Sequence, residues 1–473
     1  MTKGKALKAG LWYTISNILL KGIVFITLPI FTRLLSTEEF GLYNTYSAYQ
    51  SIVTVFTGIC LYGSLRTAKY DYKDKYDEYS GSILFLSGFA LFIMMLLSFV
   101  FYGYIKIYWE FDRIILFILL LHSYAMFIFQ YYNTLLALKF EYKQYIIISF
   151  FNTFFNVFLS IILILTIFSD KRDIGRIIGF ASPPIIIASI IWIKSVIYNL
   201  KNNKKLINIS IWKYGLALSL PLVIHTFAQQ LLAQFGRIMI NKIIGAEAAG
   251  IYGFTFTIVT ILQIIILSMD SAWSAWFYDQ LSIKDYKTIK KLSNLYIILM
   301  LFLYSGFITV VPEVIKIMAP TKYWSGIYLI IPLSFSMIFV FLYSLPVHIE
   351  YFYKKTKFIA IGTTLATVLN VILNTVFIPI YGFNGAAGIT IVSYVILFIF
   401  HWVIAKKIDN NKMFSKTVIG VCILLAFIYS VITNIFIESF IMRYGSLLIF
   451  YTFYYLIFGK KLKPFIKEYI KKK

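Results

Sequence analysis

"RLLSTEEFGLY", Arg33 to Tyr43, returns in altered form 209 residues later as "KIIGAEAAGIY", Lys242 to Tyr252. Glu38 aligns with Glu247, Gly41 with Gly250 and Tyr43 with Tyr252, while Arg33 meets Lys242 and three aliphatic positions are conservatively matched. Ser36 followed by Glu39 is a capping-box pattern, which supplies acceptors and donors for the free backbone groups at a helix start. In both places the segment joins two long apolar runs, so the meaning of the echo depends on what those runs are.

Composition settles that. Of 473 residues, 60% are hydrophobic and only 14% charged, too apolar for a soluble domain of this length. Runs of about 18 to 25 apolar residues, each long enough to cross a hydrocarbon core about 30 Å thick, recur from Leu11 to Phe458. They begin near Leu11, Leu42, Gly81, Arg113, Tyr145, Ile174, Tyr214, Ala249, Leu292, Gly326, Phe358, Gly385, Thr417 and Met442. The expected fold class is therefore an all-α integral membrane protein of about 14 transmembrane helices. No stretch reads as a soluble domain.

Lys and Arg set the expected orientation. With a cytoplasmic amino terminus, roughly 31 of the 44 basic residues fall in the amino terminus, the even-to-odd loops and the tail, against roughly 10 on the other face. Both termini are expected in the cytoplasm. The net charge of +24 flanks spans rather than forming a basic face, so the expected partners are anionic membrane lipids and no nucleic acid. "MTKGKALKAG" is read as the start of an uncleaved first helix. Cys60 and Cys422 fall inside spans far apart in sequence and suggest buried thiols.

The echo now has a place: the first copy joins spans one and two, the second joins spans seven and eight. Six spans separate them, an even number, so the copies share one orientation and the two halves are parallel repeats. A second pair agrees. Span five carries Asn152 and Asn156, and span eleven carries Asn370 and Asn374, 218 residues on and again with Asn at i and i+4. The asparagines are read as bonds between helices. The expected domains are an amino-terminal six-helix bundle over 1–200, a second over 201–408, and two further helices with a basic cytoplasmic tail over 409–473.

Two stretches, "GLWYTISNILLKGIVFITLPIFTRLLSTEEFGLYN" and "NVILNTVFIPIYGFNGAAGITIVSY", carry a closer likeness. With them the chain resembles the lipid-linked oligosaccharide flippases of the polysaccharide biosynthesis family (Wzx-type, O-antigen or capsule repeat-unit translocases). That family stands in the superfamily that includes the multidrug and toxin extruders. The resemblance covers essentially the whole chain. It implies a V-shaped pair of six-helix bundles, alternating access, and a polyprenyl-diphosphate-linked glycan as cargo. It also implies a glycosyltransferase upstream and a polysaccharide polymerase downstream, and a place in the inner (cytoplasmic) membrane.

The residues themselves point to a lining. Charge in mid-membrane costs about 2.5–3.5 kcal/mol on insertion scales and usually faces a wet cavity or a partner. Lys21 sits about ten residues into span one, on one stripe with Thr14 and Asn17. Span seven, "PLVIHTFAQQLLAQFGR", is the most polar: Gln230, Gln234 and Arg237 share a face within about 60°, and His225 and Gln229 extend it along one edge. Cations and amides together suit a diphosphate and a sugar. Lys21 is alternatively a snorkelling or carboxylate-paired residue, Arg237 an interfacial anchor, and His225 an interior histidine with its bonds satisfied. Arg66, at the cytoplasmic end of span two, either meets the diphosphate on entry or obeys the positive-inside rule. "IPIYGFNGAAG" supplies a helix stop at Pro379 and a tight return before span twelve. His122, Asp270, Glu313, His348 and Glu350 are further polar positions in or near spans.

Absent motifs narrow the function classes. There is no G-x-x-x-x-G-K-[ST] loop and no H-E-x-x-H, and the four histidines are scattered, so neither an enzyme nor a cofactor or metal is expected. A multidrug or metabolite extruder on the same fold is the nearest alternative. It would fit better with clustered intramembrane carboxylates, and mid-span acidic residues read as scarce. An O-antigen polymerase would need a sizeable outer loop, and none exceeds roughly fifteen residues.

Overall fold

The computed structural model describes the backbone of residues 3–411 and 413–471, and the side chains of 12, 19, 20, 22–411 and 413–459. Fifteen α-helices follow one another: α1 Lys3–Leu34, α2 Thr37–Thr57, α3 Leu65–Asp71, α4 Tyr76–Val100, α5 Tyr102–Trp109, α6 Arg113–Lys139, α7 Tyr142–Leu165 and α8 Arg172–Lys201. Then come α9 Ile209–Ile243, α10 Ala246–Ser282, α11 Tyr286–Met318, α12 Ile327–Phe352, α13 Thr356–Ile408, α14 Lys416–Ile435 and α15 Phe440–Lys471. Among the described residues there is no strand.

The outer surface is that of a membrane protein. Phe150, Phe154 and Phe158 stack in a row on α7, each nearly half exposed. A water-soluble chain would not leave such a ladder uncovered, because large apolar patches drive association. Among the described residues, eleven helices are long and apolar enough to cross a bilayer, or twelve if a bent pair counts as one span. The expected fourteen differ from this in identifiable places. The 53-residue α13 counts once although it contains two helices, and of α1 only Gly22–Leu34 counts, as a shorter apolar helix.

α13 is a hairpin. Gly382 alone leaves the helical region, at φ 61° and ψ −146°, a conformation that suits glycine. Asn370 Nδ2 then bonds Ser393 Oγ at 2.9 Å, and a side chain at Gly362 would strike Phe400, so residues equidistant from the bend face each other. The return expected from "IPIYGFNGAAG" is present; the helix continues past Pro379 to the bend.

Span two is broken, contrary to the uninterrupted run expected from its apolarity. α2 ends at Gly58, and α3 departs at 52° after a 3₁₀ turn over Leu61–Ser64. Ile59 and Cys60 both take positive φ, 47° and 50°. Such values are rare for residues with a Cβ, rarest for a β-branched one, and are held here by surrounding packing. The start of α2 follows the sequence closely: Ser36 Oγ accepts from Glu39 N–H at 3.0 Å, and Ser36 N–H donates to Glu39 Oε2 at 2.7 Å.

The chain forms two compact units, Met1–Asn241 and Lys242–Lys473. In the first, Tyr79, Ile83, Phe127 and Ile128 centre one apolar cluster, and Tyr46, Leu119 and Ile177 another. In the second, Trp273, Phe277, Tyr304 and Leu329 are fully buried. α9 packs with the first unit, although the repeat pattern makes it the opening helix of the second half.

Candidate functional site

Two turns near its start fix α9 in the first unit. Trp212 Nε1–H donates to the Ser82 carbonyl at 3.2 Å and its hydroxyl at 3.0 Å, and the Tyr214 hydroxyl bonds Asp71. Higher up, Leu222 lies where any side chain at Gly63 would sit, and Phe227 meets Phe56 edge-on at 5.1 Å. Thr226 reaches Cys60 and Tyr62. The break after α2 thus receives α9, and Gly63 is what permits the close approach.

Beyond this level the same face of α9 changes chemistry. On a regular helix Gln229, Gln230, Gln234 and Arg237 all fall within roughly 80° of Thr226. Gln229 is exposed; His225, Gln230, Gln234 and Arg237 are half-buried. Gln234 Oε1 is buried without a hydrogen-bond partner among the described residues. Amides in the middle of a span are costly against hydrocarbon. His225 and Arg237 each make a further interaction and are anchored rather than loose. Asn17 and Lys21, with Thr14, lie outside the residues whose side chains are described. Arg66 is in the first turn of α3 and exposed, just past the break.

Sequence reading did not single out Arg176. It lies in α8, 8% exposed, with Nη1 donating to Asn156 Oδ1 at 3.1 Å and Ser160 Oγ at 2.7 Å, and Nη2 to Tyr43 OH at 3.1 Å. Its guanidinium rests over Phe31 at 3.8 Å and Tyr43 at 4.5 Å. Among the described residues no carboxylate pairs with it. Cation–π contacts and a forked donor set hold the charge instead.

Three helical carboxylates, Asp270, Glu313 and Glu350, occupy the second unit, with Glu350 two residues from the end of α12 and Glu313 five from the end of α11. Each has a base. Asp270 Oδ1 is 2.9 Å from His348 Nε2, and the other ring nitrogen, Nδ1, is 3.0 Å from Tyr278 OH. A neutral imidazole donating from Nε2 and accepting at Nδ1 satisfies all three groups. Glu350 Oε1 is 2.7 Å from His401 Nδ1, both residues fully buried, and Glu313 pairs with Arg443. His122, in the first unit, meets Tyr46 OH at 3.1 Å. Two of the four asparagines expected to tie helices together do so: Asn156 Nδ2 donates to the Phe180 carbonyl at 3.2 Å, and Asn370 bonds Ser393, whereas Asn374 Nδ2 donates within its own helix to the Asn370 carbonyl at 2.8 Å. Among the described residues no three His, Cys, Asp or Glu side chains form a metal-binding group.

Residues 6–277 match the family model described as polysaccharide biosynthesis protein. Among solved structures the chain is similar to a lipid II flippase MurJ in an inward closed conformation, with a TM-score of 0.67 at 16% identity over 96% of this chain and 99% of that one. An inward-facing multidrug resistance MATE family transporter of the MOP superfamily gives 0.66 at 13% identity, over 83% and 96%. A MOP superfamily transporter from Pyrococcus furiosus, described as having a binding pocket of reverse polarity, gives 0.54 at 15%, over 86% and 99%. No curated protein matches the chain. At these identities the likeness establishes the fold.

Proposed function

We propose that this chain, which belongs to the polysaccharide biosynthesis protein family, is a flippase. Its cargo is a polyprenyl-diphosphate-linked oligosaccharide, moved from the cytoplasmic to the outer leaflet of the cytoplasmic membrane by alternating access, with both termini in the cytoplasm. The observation that carries this reading is the partly exposed amide-and-cation stripe on α9, from His225 to Arg237, which continues the face that receives the broken second span. Amides pair with sugar hydroxyls; Arg237, with Lys21 and Arg66, supplies charge-assisted bonds for phosphate oxygens. The two six-helix repeats are the alternating halves, and the role is non-enzymatic, with a glycosyltransferase supplying the cargo and a polymerase consuming it.

One driving term can be sized. Moving negative charge outward across an inside-negative membrane is favoured by about 2.3 kcal/mol per charge per 100 mV when the charge crosses the full field. A diphosphate carries about two such charges at neutral pH.

An ion-coupled extruder is the second reading, favoured by the Asp270–His348–Tyr278 chain in the second unit. The lipid pool of cells lacking the gene separates the two. A flippase leaves a complete diphosphate-linked repeat unit trapped on the cytoplasmic leaflet, cured by wild-type protein and not by Lys21→Ala or Arg237→Ala at equal membrane abundance. An unchanged pool with altered drug sensitivity selects the extruder.

A further inference from the structure

Three cavities in the first unit lie end to end between α4 and α6. The first, of about 470 Å³, touches Asp77, Ser80 and Leu84 of α4; the second, of about 360 Å³, touches Gly88 and Leu91; the third, of about 100 Å³, touches Met95 and Tyr102. From Asp77 to Met95 these positions step by three or four residues, so they mark a single face of α4, and Tyr102 opens α5. α6 runs the opposite way, with Lys139 opposite Asp77, Ile128 near Gly88 and Arg113 at Tyr102. From Asp77 to Met95 is roughly 27 Å of helix, close to the thickness of the hydrocarbon core.

The floor of this furrow is fixed. Tyr131 OH donates to the Ser80 carbonyl at 2.5 Å, and Ser87 Oγ is 2.9 Å from Tyr124 OH, stitching α4 to α6 beneath the cavities. α8 forms one bank with Ile187, Ile190 and Trp192, and Ile190 and Ile193 stand about half exposed at its edge. A trough of these volumes is many times the roughly 30 Å³ of a water molecule, and its middle and far cavities are walled mainly by apolar side chains, which give water few partners.

The ends differ. At one, Arg113 lies over the Tyr102 ring at 4.8 Å. At the other, Asp77 takes Lys139 at 3.3 Å and Lys204 at 3.6 Å, while Lys194 is exposed and pairs with no carboxylate among the described residues. Glu141 completes the rim. Of the charged residues that line this end, Lys139 is taken by Asp77, and Lys194 is the cation with no carboxylate at hydrogen-bond distance among the described residues.

We infer that this furrow binds one membrane phospholipid, with its phosphodiester at Lys194 and an acyl chain along α4 and α6. One unpaired ammonium, at Lys194, matches the single charge of a phosphodiester; a polyprenyl diphosphate brings at least one further negative charge beside Asp77 and Glu141. The site is separate from the α9 stripe and stands independently of the cargo reading.

The test is lipid retention by the purified full-length chain, followed by native mass spectrometry with phosphatidylglycerol as the probe. Wild type retains one molecule saturably. Lys194→Glu weakens its affinity at least tenfold. Gly88→Leu fills the middle cavity, where an added Cβ stands 3.5 Å from Trp192, and expels the lipid. Unfolding midpoints of both variants separate loss of lipid from loss of fold, and the exposed Lys194 variant decides alone where the other fails to fold. Retention equal to wild type in both variants overturns the inference. So does displacement of the probe by equimolar polyprenyl diphosphate, which would make the occupant the cargo's own lipid, and so does a dimer that closes the furrow without lipid.

Discussion

The two units use the same skeleton and opposite chemistry. The 218-residue offset that superposes Asn152 and Asn156 on Asn370 and Asn374 also superposes Arg176 on Tyr394, and the 209-residue echo superposes Tyr43 on Tyr252. In the first unit this position is a cation bonded to Asn156 and Tyr43. In the second, a neutral ring stands there: Tyr394 stacks on Tyr343 at 6.2 Å, the planes 2° apart. The second unit places its charges elsewhere, in closed pairs of acid and base. The asparagine pattern recurs but the bonds differ: Asn156 Nδ2 reaches the Phe180 carbonyl, whereas Asn374, 218 residues on, donates within its own helix to Asn370. The site of a buried charge answers to function and local compensation.

Breaking the second unit's compensation has the largest expected effect. Glu350→Ala leaves His401 buried without its acid and is expected to cost about 3–5 kcal/mol, read as a lowered unfolding midpoint in detergent. An unchanged midpoint would mean that the pair is not sealed from solvent. In the first unit, Arg176→Ala removes a charged donor from three acceptors and should cost about 2–3 kcal/mol. Arg176→Tyr, which copies the second unit, should lose less than the alanine variant if the ring site at Phe31 and Phe180 accepts either group. The reverse order would show that the fork of donors, not the stacking, sets the site.

Asn156→Ala and Asn370→Ala probe the amide bonds of each unit. Each should cost about 0.6–1.7 kcal/mol, because each side chain bonds a neighbouring helical segment. A smaller asymmetry lies at the echo itself. Ser36 caps α2, but its counterpart Gly245 precedes α10 at φ 122° with no side-chain cap. Ser36→Ala should cost about 1 kcal/mol. Gly245→Ser should gain nothing and lose up to about 1 kcal/mol, because that backbone disfavours a Cβ. Unfolding curves of the two variants check both statements.

How far the sequence reached follows from these particulars. Apolar runs locate helices because each span must satisfy its backbone internally, and starts near Arg113, Ala249 and Thr417 agree with the helices observed. The hairpin at Gly382 was legible through its glycines. The break in span two was not, because "TGICLYGS" stays apolar throughout and its unusual residues, Ile59 and Cys60, give no sign of a positive φ. Arg176 was hidden by company: in "RDIGRIIGF" it reads as one more charge at a span entrance, and only packing turns it inward. The α9 stripe was visible as composition. That it continues the face receiving the break required coordinates, since helix periodicity says which residues share a side and nothing about what that side meets.

The most direct measurement is translocation by the purified protein in vesicles. A diphosphate-linked oligosaccharide carrying a fluorescent sugar is placed in one leaflet, and its accessibility to an added glycosidase is followed. The account predicts protein-dependent exposure that Arg237→Ala and a paired Gln230→Leu/Gln234→Leu variant abolish without loss of fold. Exposure at the protein-free rate, in vesicles where the same protein expels a cationic drug, would contradict it.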